Sequence, residues 1–434
     1  MNKLKQEISK LKSSSLARNA GWMFAGQGVG FILQALYFIL IARLLGTVEY
    51  GIYAGAFALV AIAGTYSTLG SGTLFLRYVS NEPGKFSLYW GNILVVTSSV
   101  SVAMVLILHF IAPHLINPAS AAIVLLVAIA NCFCMQLSTC CGQVFQAFEK
   151  LRITAILNLL TNLVRLIAAA GMLFSLHHAT AKQWAIASLC VSALAAGTAV
   201  ITVTIKFGRP TFAPKLFFSG AGEGLGYSFA LSTTSAYNDL DKTMLSHYGM
   251  NAANGIYSMA YRVVDIATVP VYSIRDAAMP RLFRSGTQGI EKGAALATRL
   301  LYRSLALSAV SAIVMFVTAP IIPHIVGHGF AESVIALRWL CLIPVLRSVH
   351  QMTGCALTGA GLQRYRTAAQ LSAVAINLGL NLWLIPIYGW RGAAWSSLAT
   401  DFSLGLFNWS ILRLLCRASR KTNDRNAAVL LETQ

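Results

Sequence analysis

The sequence predicts an all-α polytopic membrane protein: twelve transmembrane helices in two six-helix lobes, with both termini cytoplasmic. Three observations predict it. Of the 434 residues, 56% are hydrophobic and 11% are charged, with a mean hydropathy of +0.66, whereas soluble domains carry about 25% charged residues. Apolar stretches of about 20 residues, enough to cross a bilayer, recur along nearly the whole chain. Basic residues, finally, alternate from loop to loop.

The elements follow in order. The start, MNKLKQEISKLKSSSLARN, is basic, and the apolar segment after it is too long for a signal-peptide core and has no convincing cleavage site. Residues 19–45 therefore read as an uncleaved first helix. The second, 51–77, ends at Arg77, and Lys85 precedes the third, 87–113. Lys150 and Arg152 separate 119–147 from 153–176, and 182–206 ends at Lys206, ahead of Arg209 and Lys215. The pair 225–248 and 253–280 runs out at Arg281 and Arg284, and Lys292, Arg299 and Arg303 surround the start of 301–326. Arg364 and Arg366 lie between 336–360 and 365–388, and 391–414 leads into Arg413, Arg417, Arg420, Lys421 and Arg425.

With Lys3, Lys5, Lys10, Lys12 and Arg18, these ends hold 24 of the 33 basic residues. The alternate loops hold only Arg43, Lys182 and Arg391, and six basic residues lie inside helices. Such a split follows the positive-inside rule. The net charge of +19 is thus an orientation signal that suits anionic headgroups, and it does not call for nucleic acid.

A weak parallel repeat divides the chain. GIYAGA at 51–56 echoes GIYSMA at 255–260, and Arg77 and Arg281 stand at the same offset. The expected organisation is a basic N-terminus (1–18), an N-lobe (19–207), an interlobe linker (208–224), a C-lobe (225–414) and a cytoplasmic tail (415–434). The linker's glycines fit no phosphate-binding loop. The natural cavity lies between the lobes, where transporter sites sit in folds of this kind.

Three segments carry a family resemblance. IARLLGTVEYGIYAGAFALVAI (41–62) resembles the signature of bacterial polysaccharide exporters of the MOP superfamily, the Wzx-type flippases. DLDKTMLSHYGMNAANGIYSMAYRVVDIATVPVYSIRDAAMPRLF (239–283) and GAGLQRYRTAAQLSAVAINLGLNLWLIPIYGWRGAAWSSLA (359–399) are similar to that family's second-half pattern. The resemblance implies a V-shaped, MATE-like pair of lobes in the bacterial inner membrane, working by alternating access. The implied substrate is an oligosaccharide on undecaprenyl diphosphate, moved to the outer leaflet for surface polysaccharide such as O-antigen, capsule or exopolysaccharide. Candidate partners are membrane lipids, a polysaccharide polymerase and a chain-length regulator. The competing readings are a MATE-type drug antiporter and, because Asp239-Leu240-Asp241 is formally DxD, a membrane glycosyltransferase or polymerase. The first helix offers only polar residues such as Gln27 and Gln34 where antiporters often place an acid, and the DxD lies well inside a helix, so neither displaces a non-enzymatic flippase.

Charged residues near mid-depth are the site candidates: the acids Asp239, Asp241, Asp265 and Asp401, the bases Arg165, Lys242, Arg262 and Arg347, and His350. Facing lipid, eight such charges would cost about 20–28 kcal/mol, at about 2.5–3.5 kcal/mol each, so they must face protein, water or each other. Asp239 and Lys242 share a helix face, as do Arg262 and Asp265, while Asp241 points about 200° from Asp239. A cross-helix network of Asp241, Lys242, Arg262 and Asp265 is expected. Arg165, the one mid-depth charge of the first lobe, is the candidate unpaired substrate-facing cation, followed by Arg347 and His350 on a shared face. Lys242 and Arg262 are further cavity candidates. Arg77 and Arg281 are gate candidates or headgroup anchors. No cofactor motif is present; coupling to an H+ or Na+ gradient would run through Asp241 or Asp265. Cys132, Cys134, Cys140 and Cys141 read as buried thiols, and the His324, His328, Glu332 spacing falls on a glycine-broken outer loop, so no metal site is assigned.

Overall fold

A computed structural model describes the backbone of residues 15–176, 178–212 and 214–432, and side chains over those ranges apart from 15–27, 31, 214–224, 226, 227, 230, 231 and 421–432. Lys3, Lys5, Lys10 and Lys12 lie outside the described residues, as do the side chains of Arg18, Gln27, Lys215, Lys421 and Arg425. The described residues are helical, without a strand.

The elements are α1 (Ser15–Gly64), α2 (Ser71–Val79), α3 (Phe86–Leu115), α4 (Pro118–Ala147), α5 (Leu151–Leu176) and α6 (Ala181–Phe207). They continue with α7 (Pro214–His247), α8 (Asn251–Thr287), α9 (Ile290–Val326), α10 (Ser333–Gly359), α11 (Gln363–Tyr388) and α12 (Trp390–Glu432). Among the described residues, eight helices are long and apolar enough to cross a membrane: α3 to α6, α9 to α11, and α1 from Gly28 onward. The other four expected spans, 51–77, 225–248, 253–280 and 391–414, rest on the pattern of basic loops. Three of those four carry the in-helix acids Asp239, Asp241, Asp265 and Asp401.

Several boundaries differ from expectation for local reasons. The expected helix 51–77 breaks between α1 and α2, where Leu69 (φ 42°) and Gly70 (φ 64°) turn left-handed. Gly46 (φ 67°, ψ −178°) kinks α1 where a loop was expected. The linker expected at 208–224 is helical from Pro214, because proline at the first helical position has a fitting φ and no amide to leave unbonded. The helix α12 likewise runs on through the expected tail to Glu432.

Side-chain caps fix the starts of α4 and α6. Asn117 accepts from the Ser120 amide at 2.9 Å, ahead of Pro118. Thr180 and Gln183 form a reciprocal capping box at α6, and Glu49 accepts the Ala181 amide at 2.6 Å, a carboxylate on a helix N-terminus.

Two compact units result: residues 1–235 with 246–255, and residues 236–245 with 256–434. In the first, aromatic packing around Phe75, Phe86, Trp90 and Phe145 encloses Cys140 and Cys141. Cys132, Cys134, Cys140 and Cys141 are buried free thiols. The second has a core around Leu282, Cys355, Leu357 and Leu412.

The α7–α8 turn packs in the first unit through the glycines of the repeat. A Cβ on Gly51 would fall on the Asn251 carbonyl, and one on Gly255 would fall on the Thr47 carbonyl. Around this crossing, Asn117 Nδ2 donates to the Ser246 carbonyl and to Asn251 Oδ1, both at 2.8 Å, and Asn254 Nδ2 donates to the Gly51 carbonyl at 3.0 Å. Since the obstructing atoms are backbone, Gly51→Val should lower stability by about 1–3 kcal/mol. A melting point equal to wild type in detergent would refute the crossing.

Candidate functional site

The second unit holds a polar network within its helices. Asp241, fully buried on α7, accepts from the Tyr257 hydroxyl on α8, from Ser397 Oγ on α12 at 2.8 Å and from the Lys242 amide at 2.7 Å. The Tyr257 and Ser397 hydroxyl oxygens lie 2.9 Å from each other. The hydrogen-bond donors to this carboxylate are thus neutral groups.

One helical face away, Lys242 Nζ sits 2.7 Å from Asp239 Oδ1 and donates to the Asn238 carbonyl at 2.8 Å. It also lies 4.3 Å from the centre of the Tyr261 ring, against which Arg347 packs at 5.4 Å. Both cations use the negative face of that ring. Arg347, 2% exposed, is the hub. Its guanidinium donates to the Tyr261 hydroxyl at 2.6 Å, to Asn238 Oδ1 at 2.8 Å and to the Tyr272 hydroxyl at 3.3 Å. It pairs with Asp265 at 3.5 Å and Asp401 at 3.6 Å. A planar fork of five donors suits this many-sided role.

His350 brings Nε2 to 3.3 Å from Asp401 Oδ1 without the alignment of a hydrogen bond. Among the described residues, Asp401 is the one charged residue lining an apolar slot of about 310 Å³, with Leu346, Val349, Phe402, Leu406 and Trp409 around it.

Within the expected grouping of Asp241, Lys242, Arg262 and Asp265, Asp265 pairs with Arg262 at 3.8 Å and extends to Arg347 at 3.5 Å. On α7, Asp241 turns toward Tyr257 and Ser397, while Asp239 and Lys242 turn toward Tyr261. The neutral members, Tyr257, Tyr261, Tyr272, Asn238 and Ser397, were missed in the sequence. The i, i+4 spacing of Tyr257 and Tyr261 on a charged helix was the available signal.

In the first unit, Arg165 on α5 contacts Met135 Sδ at 3.0 Å and Ser192 Oγ at 3.2 Å. Its Nε is buried without a partner, and among the described residues it has no carboxylate within ion-pair distance. Beside it lies a cavity of about 230 Å³ between α4 and α5. Arg77 and Arg281 are exposed near the ends of α2 and α8, the former 5.5 Å from the Tyr78 ring. Just before α10, Glu332 accepts from Trp390 Nε1 at 2.7 Å, and near the end of α9 His324 Nδ1 lies 3.1 Å from the Pro320 carbonyl.

This arrangement can hold an anion on a cation that lacks a counter-acid, and it can store charge on a buried carboxylate. The profile of the family described as polysaccharide biosynthesis protein matches residues 16–286. No curated protein sequence matches the chain. Among solved structures, the lipid II flippase MurJ in an inward closed conformation aligns with TM-score 0.73 at 14% identity, over 91% of this chain and 87% of that one. An inward-facing multidrug resistance MATE transporter of the MOP superfamily aligns with TM-score 0.64 at 13% identity, over 94% and 95%. Its outward-facing counterpart gives 0.60 at 14%, over 94% and 98%. At such identities the likeness is one of fold, and the profile covers more than half of the chain. The chain therefore belongs to the polysaccharide biosynthesis protein family and has the fold of the MOP-superfamily transporters and flippases.

Proposed function

We propose that the protein is a flippase for oligosaccharide carried on a polyprenyl diphosphate, moving it from the inner to the outer leaflet of the bacterial cytoplasmic membrane. It does so by alternating access across twelve spans with both termini cytoplasmic, and as a transporter it performs no covalent chemistry. The family assignment supports this reading, and one observation carries it: Arg165 lies within a span with only neutral groups as partners. A membrane-embedded cation without a counter-acid is costly and marks a substrate path. It favours an anionic diphosphate over the cationic cargo of a drug antiporter. Coupling to H+ or Na+ through Asp241 or Asp265 belongs to the same reading, as does hand-over to a polymerase and a chain-length regulator.

Deleting the gene tests it. Undecaprenyl-linked repeat units should accumulate on the cytoplasmic side while their synthesis continues. Unchanged surface glycan with a loss of dye resistance alone would favour the antiporter. Arg165→Ala should cut export at least tenfold in protein that still inserts, since a charge-assisted hydrogen bond contributes about 1.5–3 kcal/mol. Normal export by that variant would remove Arg165 from the site.

A further inference from the structure

The α4–α5 cavity has a composition of its own. Along α5, Thr154, Asn158, Thr161 and Arg165 fall within an arc of roughly 60° at about 100° per residue. On the opposite face Ile156, Leu160, Leu163 and Ile167 are exposed, as a lipid-facing side requires. The polar face cannot also meet hydrocarbon, because unsatisfied amides there are costly.

The facing part of α4 contributes Gln143 and Gln146, with Ser138 and Thr139 one turn earlier. A π-turn over Ile129–Met135 interrupts α4 and ends at Met135, the residue that both lines this cavity and touches Arg165. Such bulges re-aim a helix face and recur at functional sites.

The hydrogen-bonding inventory is specific. Ser138, Thr139 and Thr161 donate to carbonyls of their own helices at 3.1, 2.9 and 2.8 Å, which leaves their oxygens as acceptors. The amides of Gln143, Gln146 and Asn158 hold no hydrogen bond among the described residues. The described residues lining the cavity include no acid, so it does not suit a metal ion, and seven of the ten carry a polar group on the side chain. Amides that both donate and accept match sugar hydroxyls, which do the same, and about 230 Å³ is the size of a single sugar ring.

We propose that this groove is a sugar subsite, holding the uncharged ring next to the diphosphate while Arg165 takes the diphosphate charge. The inference rests on the flippase reading and adds to it where the glycan is read.

The test uses the full chain in lipid nanodiscs with two probes: undecaprenyl diphosphate, and the same lipid bearing one neutral hexose. Wild type should bind the hexose-bearing lipid about tenfold more tightly, the effect of one or two hydrogen bonds. The double variant Gln146→Leu, Asn158→Leu should bring the ratio to about one, with a monodisperse size-exclusion peak as the check on folding. Leu163→Ala, on the lipid face, should keep the tenfold ratio. A ratio of one in wild type, or a tenfold ratio retained by the double variant, overturns the subsite and leaves the flippase reading standing. Failure of folded wild type to bind either lipid overturns the flippase reading and the subsite with it.

Discussion

Asp241→Asn should insert, fold and melt at or above the wild-type temperature, yet export less than about a tenth of the glycan. The stability half follows from where the carboxylate sits. It is fully buried, and the donors that reach it are two hydroxyls and a backbone amide. Withdrawing an ion from water costs several kcal/mol, and neutral replacements of buried charges are often neutral or stabilising by up to about 4 kcal/mol. Asparagine has the same shape, and the Tyr257 and Ser397 hydroxyls can rotate to accept from its NH2. Nothing in the packing therefore demands a carboxylate. If Asp241 carries the coupling charge, the amide removes that role and leaves the fold. A variant that melts as expected and still exports normally would make Asp241 a structural acceptor and end its candidacy. Asp265, half-exposed beside Arg262 and Arg347, would then be the remaining coupling acid.

Apolar length was easy to read in the sequence. The stretch expected at 87–113 is Phe86–Leu115, that at 153–176 is Leu151–Leu176, and that at 365–388 is Gln363–Tyr388. A bilayer-length run of hydrophobic residues is a signal averaged over many positions. Breaks are set by single backbone angles, and the turn at Leu69 and Gly70 has no such averaging. The π-turn in α4 is similarly silent, because its residues are ordinary helix formers.

Charged residues were equally visible, since each one stands out against an apolar background. Their partners were not. The hydroxyls that satisfy Asp241 come from 16 and 156 residues away, and serine and tyrosine occur throughout the chain. The pair Asp239 and Lys242, three apart on one helix, was readable because helix geometry alone brings them together. The polar face of α5 was also available in the spacing of Thr154, Asn158, Thr161 and Arg165, but each residue on its own is unremarkable in a membrane helix.

Arg347→Met should lower stability by about 3–5 kcal/mol, the range for breaking a buried ion pair from one side. The loss is that large because the side chain serves several elements at once. Without it, Asp401 on α12, itself almost fully buried, keeps only an unaligned His350 within ion-pair distance. The Tyr261 hydroxyl and Asn238 Oδ1 lose their shortest contacts to it as well. Arg347→Lys should recover little, since an ammonium cannot reach two acids, a tyrosine and an amide from one plane. The decisive comparison is with Arg347→Met, Asp401→Asn, which neutralises both sides. If the cost is mainly the stranded carboxylate, the double variant should be more stable than Arg347→Met alone, with a coupling above about 1 kcal/mol in a thermal double-mutant cycle. Additive losses would mean that Arg347 acts through Tyr261 and Asn238, with Asp401 a bystander. The contrast with Asp241 is physical: one acid is met by dipoles and can lose its charge without stranding a partner. The other is met by a guanidinium, so removing Arg347 leaves a carboxylate buried without its cation, whereas removing Asp401 leaves Arg347 with Asp265.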